Sequence, residues 1–108
     1  QRVYDRPATL DVARFLGERA MNLFVEDGVT LGIRPECVEL ASDGEVRGRI
    51  VARETTGADA FLSIDTQRGR VLARIAAATA ARNGDLIALR FPEGALRRFD
   101  TQTGRAIA

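Results

Sequence analysis

The 108-residue chain has no histidine, no lysine and no tryptophan, and its single cysteine is Cys37. Without histidine, the commonest general base and metal ligand is gone. Nothing in the chain can activate Cys37 as a histidine would, so a buried or half-buried structural role is expected for it. One cysteine also excludes an internal disulfide, and a reducing compartment is the simplest setting. No apolar run approaches the ~20 residues a helix needs to cross a bilayer, so membrane association is expected to be indirect. There is no glycine-rich loop ending in Lys and Ser or Thr, and hence no cradle for nucleotide phosphates. The first residues, from Gln1 to Asp5, show neither an initiator Met nor a signal-peptide pattern. They read as the interior of a longer protein.

What is present is the composition of one soluble domain: 45% hydrophobic and 29% charged residues, in a chain long enough for a single core. All 16 positive residues are arginine, for which a compositional bias of the source genome is sufficient. Charge is uneven along the chain: five arginines face eight acids over 1–44, six face four over 45–75, and five face three over 76–108. The net charge of +1 leaves no nucleic-acid footprint at the level of the whole chain.

Residues 7–17 read as a short helix, with Asp5 as cap, Pro7 in the first turn and Gly17 as stop. Val12, Phe15 and Leu16 share its apolar face, which must dock on something because so short a helix is not stable alone. After Asp27-Gly28 the pattern changes to short strands. Residues 29–34 form the first, ended by Pro35. Over 45–54, Val46, Gly48, Ile50 and Ala52 fall on one face, with Arg47, Arg49, Val51 and Arg53 on the other. Residues 60–65 and 70–75 complete an antiparallel meander. The alanine-rich stretch 76–82 predicts one or two helical turns, stopped at Asn83-Gly84. A strand over 86–91 follows, then a short one around Leu96 and Phe99, then a turn-rich tail. Such spacing predicts an all-β fold: an OB-like small barrel or sandwich of short antiparallel strands, with one short N-terminal helix.

Four stretches together resemble the C-terminal part of ABC-importer ATPases of the maltose and glycerol-3-phosphate importer type. They are Val3-Tyr4-Asp5-Arg6-Pro7-Ala8-Thr9 running into Val12-Ala13-Arg14-Phe15-Leu16-Gly17; Met21-Asn22; Leu31-Gly32-Ile33-Arg34-Pro35-Glu36; and Phe99-Asp100-Thr101-Gln102-Thr103-Gly104-Arg105. The resemblance implies that residues 1–17 are the last helix of an absent nucleotide-binding domain. Residues 18–108 would be an OB-like transport-associated (TOBE) accessory domain. The implied partners are that nucleotide-binding domain, a second copy in a homodimer and, indirectly, the membrane permease subunits, with no nucleic acid. The implied location is cytoplasmic, peripheral to the inner face of the membrane. ATP and Mg belong to the implied parent, and this chain needs no cofactor. The Met-Asn pair resembles the carbohydrate branch, which implies sugar import.

The chain also departs from that family. Its signature, Walker-B and switch-histidine segments are missing, so no ATP-site residue carries over. Cys37 stands where relatives often have histidine, and Asp11 where they often have an aromatic residue. Only Leu23 to Leu31 separate Met21-Asn22 from Gly32, where relatives carry several more strands. A barrel shortened between 22 and 32 would expose strand edges and favour a homodimer or an exchanged strand.

The expected contact residues are Val12, Phe15 and Leu16 of the helix and Arg34 and Glu36 of the corner after the first strand. That corner serves either as an interdomain contact or as a strand end with an Arg–Glu surface pair. Two other readings stand beside the importer one. Arg47, Arg49, Arg53, Arg70 and Arg74 with Phe61 form a basic, partly aromatic face of the kind that binds single-stranded nucleic acid. Thr55-Thr56-Gly57-Ala58 forms either a backbone nest for a small oxyanion or a plain turn.

Overall fold

The computed structural model describes residues 21–107. The helix expected over 7–17, with Val12, Phe15 and Leu16, lies outside the described residues. Eight strands follow: β1 (Asn22–Glu26), β2 (Val29–Ile33), β3 (Glu39–Leu40), β4 (Val46–Thr56), β5 (Asp59–Thr66), β6 (Gly69–Ala76), β7 (Leu86–Arg90) and β8 (Arg97–Asp100). All pairings are antiparallel. One sheet has the order β1-β2-β8 and the other β3-β7-β4-β5-β6. The all-β, OB-like expectation holds, and the meander appears as β4-β5-β6.

Strands β1 and β2 form a hairpin whose two turn residues, Asp27 (φ 48°) and Gly28 (φ 78°), both lie in the left-handed region. Positive φ at both positions gives a turn whose twist matches that of the flanking strands, and an Asp-Gly pair adopts it readily. The long β4 crosses the whole body. Gly48 lies close against β5: a Cβ there would lie 2.6 Å from both the Asp65 carbonyl oxygen and Ile64 Cγ2. Only glycine lets the backbones approach so closely.

The alternation expected along β4 fails halfway, for an identifiable reason. Ile50 pairs with Ile64 but Ala52 pairs with Ser63, so Val51 is an inserted bulge residue. One extra residue exchanges the faces of everything after it. Arg53, expected outside, pairs with core Leu62, while Ala52, expected inside, is exposed. The inward guanidinium donates from Nη1 to the carbonyls of Thr79 (2.8 Å) and Ala81 (2.7 Å), and from Nη2 to that of Ala77 (2.7 Å). This also explains why 76–82 is not helical, as its alanines predicted. The carbonyls a helix would use internally are taken by Arg53, and Ala81 is buried against the core. Seven residues are too few to nucleate a helix against such competition.

The core lies between the two sheets. Phe24 and Ile33 come from the smaller sheet, and Val46, Ile50, Leu62, Ile64, Val71, Ala73 and Leu89 from the larger. Burying each large aliphatic side chain contributes about 1.5–3 kcal/mol. Met21 and Phe99 form a second small cluster with Leu23 beside it. The tail predicted as turn-rich curls back onto β8. Asp100 Oδ1 accepts from the amides of Gln102 and Thr103, both at 2.9 Å, and Phe99 bridges to Ala106.

Among the described residues, no backbone ladder joins the two sheets. Side chains span the gap between β1 and β6. Asn22 faces Leu72 at one end, and Glu26 faces Arg68 (3.8 Å) at the other. The two strands therefore run antiparallel along a seam that joins one edge of the smaller sheet to one edge of the larger.

Candidate functional site

The seam is closed at Asn22 by a carboxamide acting as a strand residue would. Its Oδ1 accepts from the Leu72 amide at 2.8 Å, and its Nδ2 donates to the Leu72 carbonyl at 2.9 Å. The same Nδ2 also donates to the Ile33 carbonyl at 3.2 Å. A side-chain amide carries one acceptor and two donors. It therefore satisfies both groups of Leu72 while still holding the end of β2. Asn22 of the Met-Asn pair, read from the sequence only as a family mark, thus links the two edges, while Met21 packs with Phe99.

Immediately after Ile33 comes the corner singled out from the sequence. Pro35 opens a single 3-10 turn, Pro35–Cys37, with Cys37 N donating to the Arg34 carbonyl at 2.9 Å. Proline suits this first position because its missing N–H would have no partner there. The Arg34–Glu36 ion pair exists, at 3.7 Å. It is not the exposed surface pair of the plainer reading: Arg34 is only 7% exposed, and Glu36 is half-buried. The turn packs against β6, which covers the side of that strand next to Asn22. Chain closure and corner therefore form one continuous region, adjoining the point where residue 20 joins Met21.

Cys37 is half-buried in this corner, as a structural cysteine should be. Burial pushes its thiol pKa up, the Glu36 carboxylate adds to this, and Arg34, Arg97 and Arg74 pull the other way. A folded-state pKa above the unfolded value favours the neutral thiol. Iodoacetamide at pH 8 is therefore expected to alkylate Cys37 several-fold more slowly in the folded chain than in the urea-unfolded chain. The difference closes as pH rises through the folded-state pKa, and folding stability falls over that same alkaline range. Equal rates at pH 8 would contradict the burial.

Of the five arginines expected on one basic face, Arg47, Arg49, Arg70 and Arg74 fall on the same outer face in the strand register and Arg53 does not. Arg53 points inward. Arg49 donates to the Gly84 carbonyl at 3.0 Å, and Arg70 pairs with Asp65. Phe61 is half-buried between Glu54 and Arg74 in the strand register. The Thr55–Ala58 stretch is the β4–β5 hairpin, with Thr56 opposite Asp59 and Gly57 at φ 64°. Among the described residues, no group of three or more His, Cys, Asp or Glu side chains is arranged to hold a metal ion. No described helix is long and apolar enough to cross a membrane.

Asn22 and Arg53 are the residues that sequence reasoning missed. Asparagine is disfavoured in strands, so its place at the head of β1 was a usable signal. Arg53 carried none, because its position depends on the bulge.

A protein-family model described as the TOBE domain matches residues 31–99. The chain is 31% identical over 135 positions to the sn-glycerol-3-phosphate import ATP-binding protein UgpC of Escherichia coli O1:K1 / APEC, covering 97% of this chain and 38% of that protein. It is 30% identical to the protein of the same name from Pectobacterium atrosepticum, with 94% and 37% covered. With the ABC transporter ATP-binding protein y4oS of Sinorhizobium fredii the identity is 29%, with 98% and 36% covered. The chain thus spans less than two fifths of the length of these relatives. Alignments of 135 positions against 108 residues mean that the relatives also hold internal positions this chain lacks. The OB-like barrel agrees with the matched model, which runs from Leu31 in β2 to Phe99 in β8, and the chain belongs to the TOBE domain family.

Proposed function

We propose that this chain is the accessory domain of the ATP-binding subunit of an ABC importer, in its C-terminal region, and that the parent hydrolyses ATP to drive import of a sugar or a related polyol phosphate. The observation that carries this reading is the TOBE match over 31–99 within a chain that has no phosphate-binding loop. ATP and Mg are held elsewhere in the parent, and this chain contributes geometry and contacts without chemistry. The subunit works at the cytoplasmic face of the membrane, reaching it through the permease subunits. The test is the reading frame upstream of Gln1. It should encode a glycine-rich loop ending in Lys and Ser or Thr, and an upstream frame without one overturns the proposal.

Within that reading, the Arg34–Glu36 corner and the helix residues Val12, Phe15 and Leu16 are the contacts with the nucleotide-binding domain or with a second copy. Support comes from position: the corner lies beside the Asn22 link, close to Met21, the first described residue. The interval shortened between 22 and 32 belongs to the same proposal, since it is filled here by a tight hairpin. Sedimentation at the highest attainable concentration is expected to show a homodimer that Phe15→Ala weakens. An unchanged association constant and melting curve for that variant would remove the helix face from the interface.

A further inference from the structure

Beyond that function, one end of the barrel holds a cleft of about 460 Å³ between β1, the β5–β6 turn and the segment after β7. This is within the usual range for small-molecule sites. Its apolar wall is Phe91, half-buried and stacked on Phe24 with centroids 5.5 Å apart. Its acidic side is Glu26, at the end of β1. Glu45 also lines it and has no partner among the described residues. The remaining charges are committed to one another. Arg90 binds Glu39 (3.1 Å) and Asp43 (3.0 Å), and Glu93 binds Arg98 (2.7 Å).

Into this cleft the chain places its own Arg68. The backbone is fixed in a turn, with Arg68 N donating to Thr66 Oγ1 at 3.0 Å. The guanidinium lies over the Phe91 ring, 5.9 Å from its centroid, and 3.8 Å from Glu26 Oε2. An aromatic face and a carboxylate together are what recognise a guanidinium. Yet both contacts are long, and the Arg68 side chain is still 39% exposed. We propose that this cleft is a recognition site for a small guanidinium-bearing molecule, and that Arg68 occupies it as an internal competitor. A bound ligand would take Phe91 and Glu26 from Arg68, and so remove one of the two links across the β1–β6 seam.

The test is a nuclear magnetic resonance titration of the whole chain with methylguanidinium chloride at constant ionic strength. Saturable shifts are expected at the Phe91 and Phe24 rings and at Arg68 Nε–H. Arg68→Ala should bind the probe roughly three- to ten-fold more tightly, as expected when an exposed cation–π and ion-pair competitor is removed. Adding Glu26→Gln to that variant should abolish most of the gain. Both side chains are largely exposed, and Arg68→Gln, which keeps the stem, serves as a second variant. The proposal is overturned if Arg68→Ala and Arg68→Gln bind no better than the parent chain. It is equally overturned if inorganic phosphate saturates the same resonances while methylguanidinium leaves them unmoved.

Discussion

Asn22→Ala is expected to lower the unfolding free energy by about 3 kcal/mol, from three lost hydrogen bonds at about 1 kcal/mol each. The loss arises because alanine leaves the Leu72 amide and carbonyl facing a gap that no backbone fills. Urea denaturation should show a lower midpoint with an unchanged slope, since the surface exposed on unfolding is the same. Hydrogen exchange gives the sharper reading. The Leu72 amide should lose protection far beyond the global change, while the Ile64 amide should follow the global change only. Asn22→Asp keeps the acceptor but sets a carboxylate against the carbonyls of Ile33 and Leu72, so it should not rescue stability at neutral pH. A loss under 0.5 kcal/mol in Asn22→Ala, at the level of an ordinary surface substitution, would mean that the carboxamide does not hold the β1–β6 seam.

Arg53→Met should cost a similar amount, again about 3 kcal/mol, because three carbonyls lose charge-assisted donors while the aliphatic stem is kept. The damage should be local before it is global. Without the guanidinium, nothing specifies the extended path of 77–82, and trypsin should cut after Arg82 faster than in the parent chain. Arg53→Lys should recover only part of the loss. An ammonium has donors enough, but it lacks the planar fork that reaches three carbonyls at once. If Arg53→Met melts with the parent and resists trypsin equally, the alanine-rich segment holds its shape by packing alone.

These two residues also mark where the sequence could be read and where it could not. The strands β4, β5, β6 and β7 were visible because period-2 alternation of Val, Ile and Leu against Arg is a direct imprint of a half-buried sheet. The β1–β2 hairpin was announced by Asp27-Gly28, one of the strongest short-range signals for a hairpin. It was missed because Asn22–Glu26 alternates too briefly to stand out. The bulge at Val51 left no local trace. It becomes visible only in the pairing with β5, where Ile50 and Ala52 take consecutive partners. Everything that depended on that one-residue slip was therefore misread together: the facing of Ala52 and Arg53, the place of Arg53 on the basic face, and the helix over 76–82. The Arg34–Glu36 corner was legible as a corner, since proline after a strand stops a ladder. Its burial was not, because that depends on β6, more than thirty residues away in sequence.

The side-chain seam between β1 and β6 has a bearing on how such a domain can diversify. A backbone ladder ties every strand to a register, so adding or removing strands means re-registering both neighbours at once. A seam held by one carboxamide and one ion pair is encoded by a few codons. It can be opened to admit further strands, or sealed again without them, while the rest of the barrel keeps its pairing. Relatives that hold internal positions absent from this chain, yet share its fold family, are what such an editable circumference would produce.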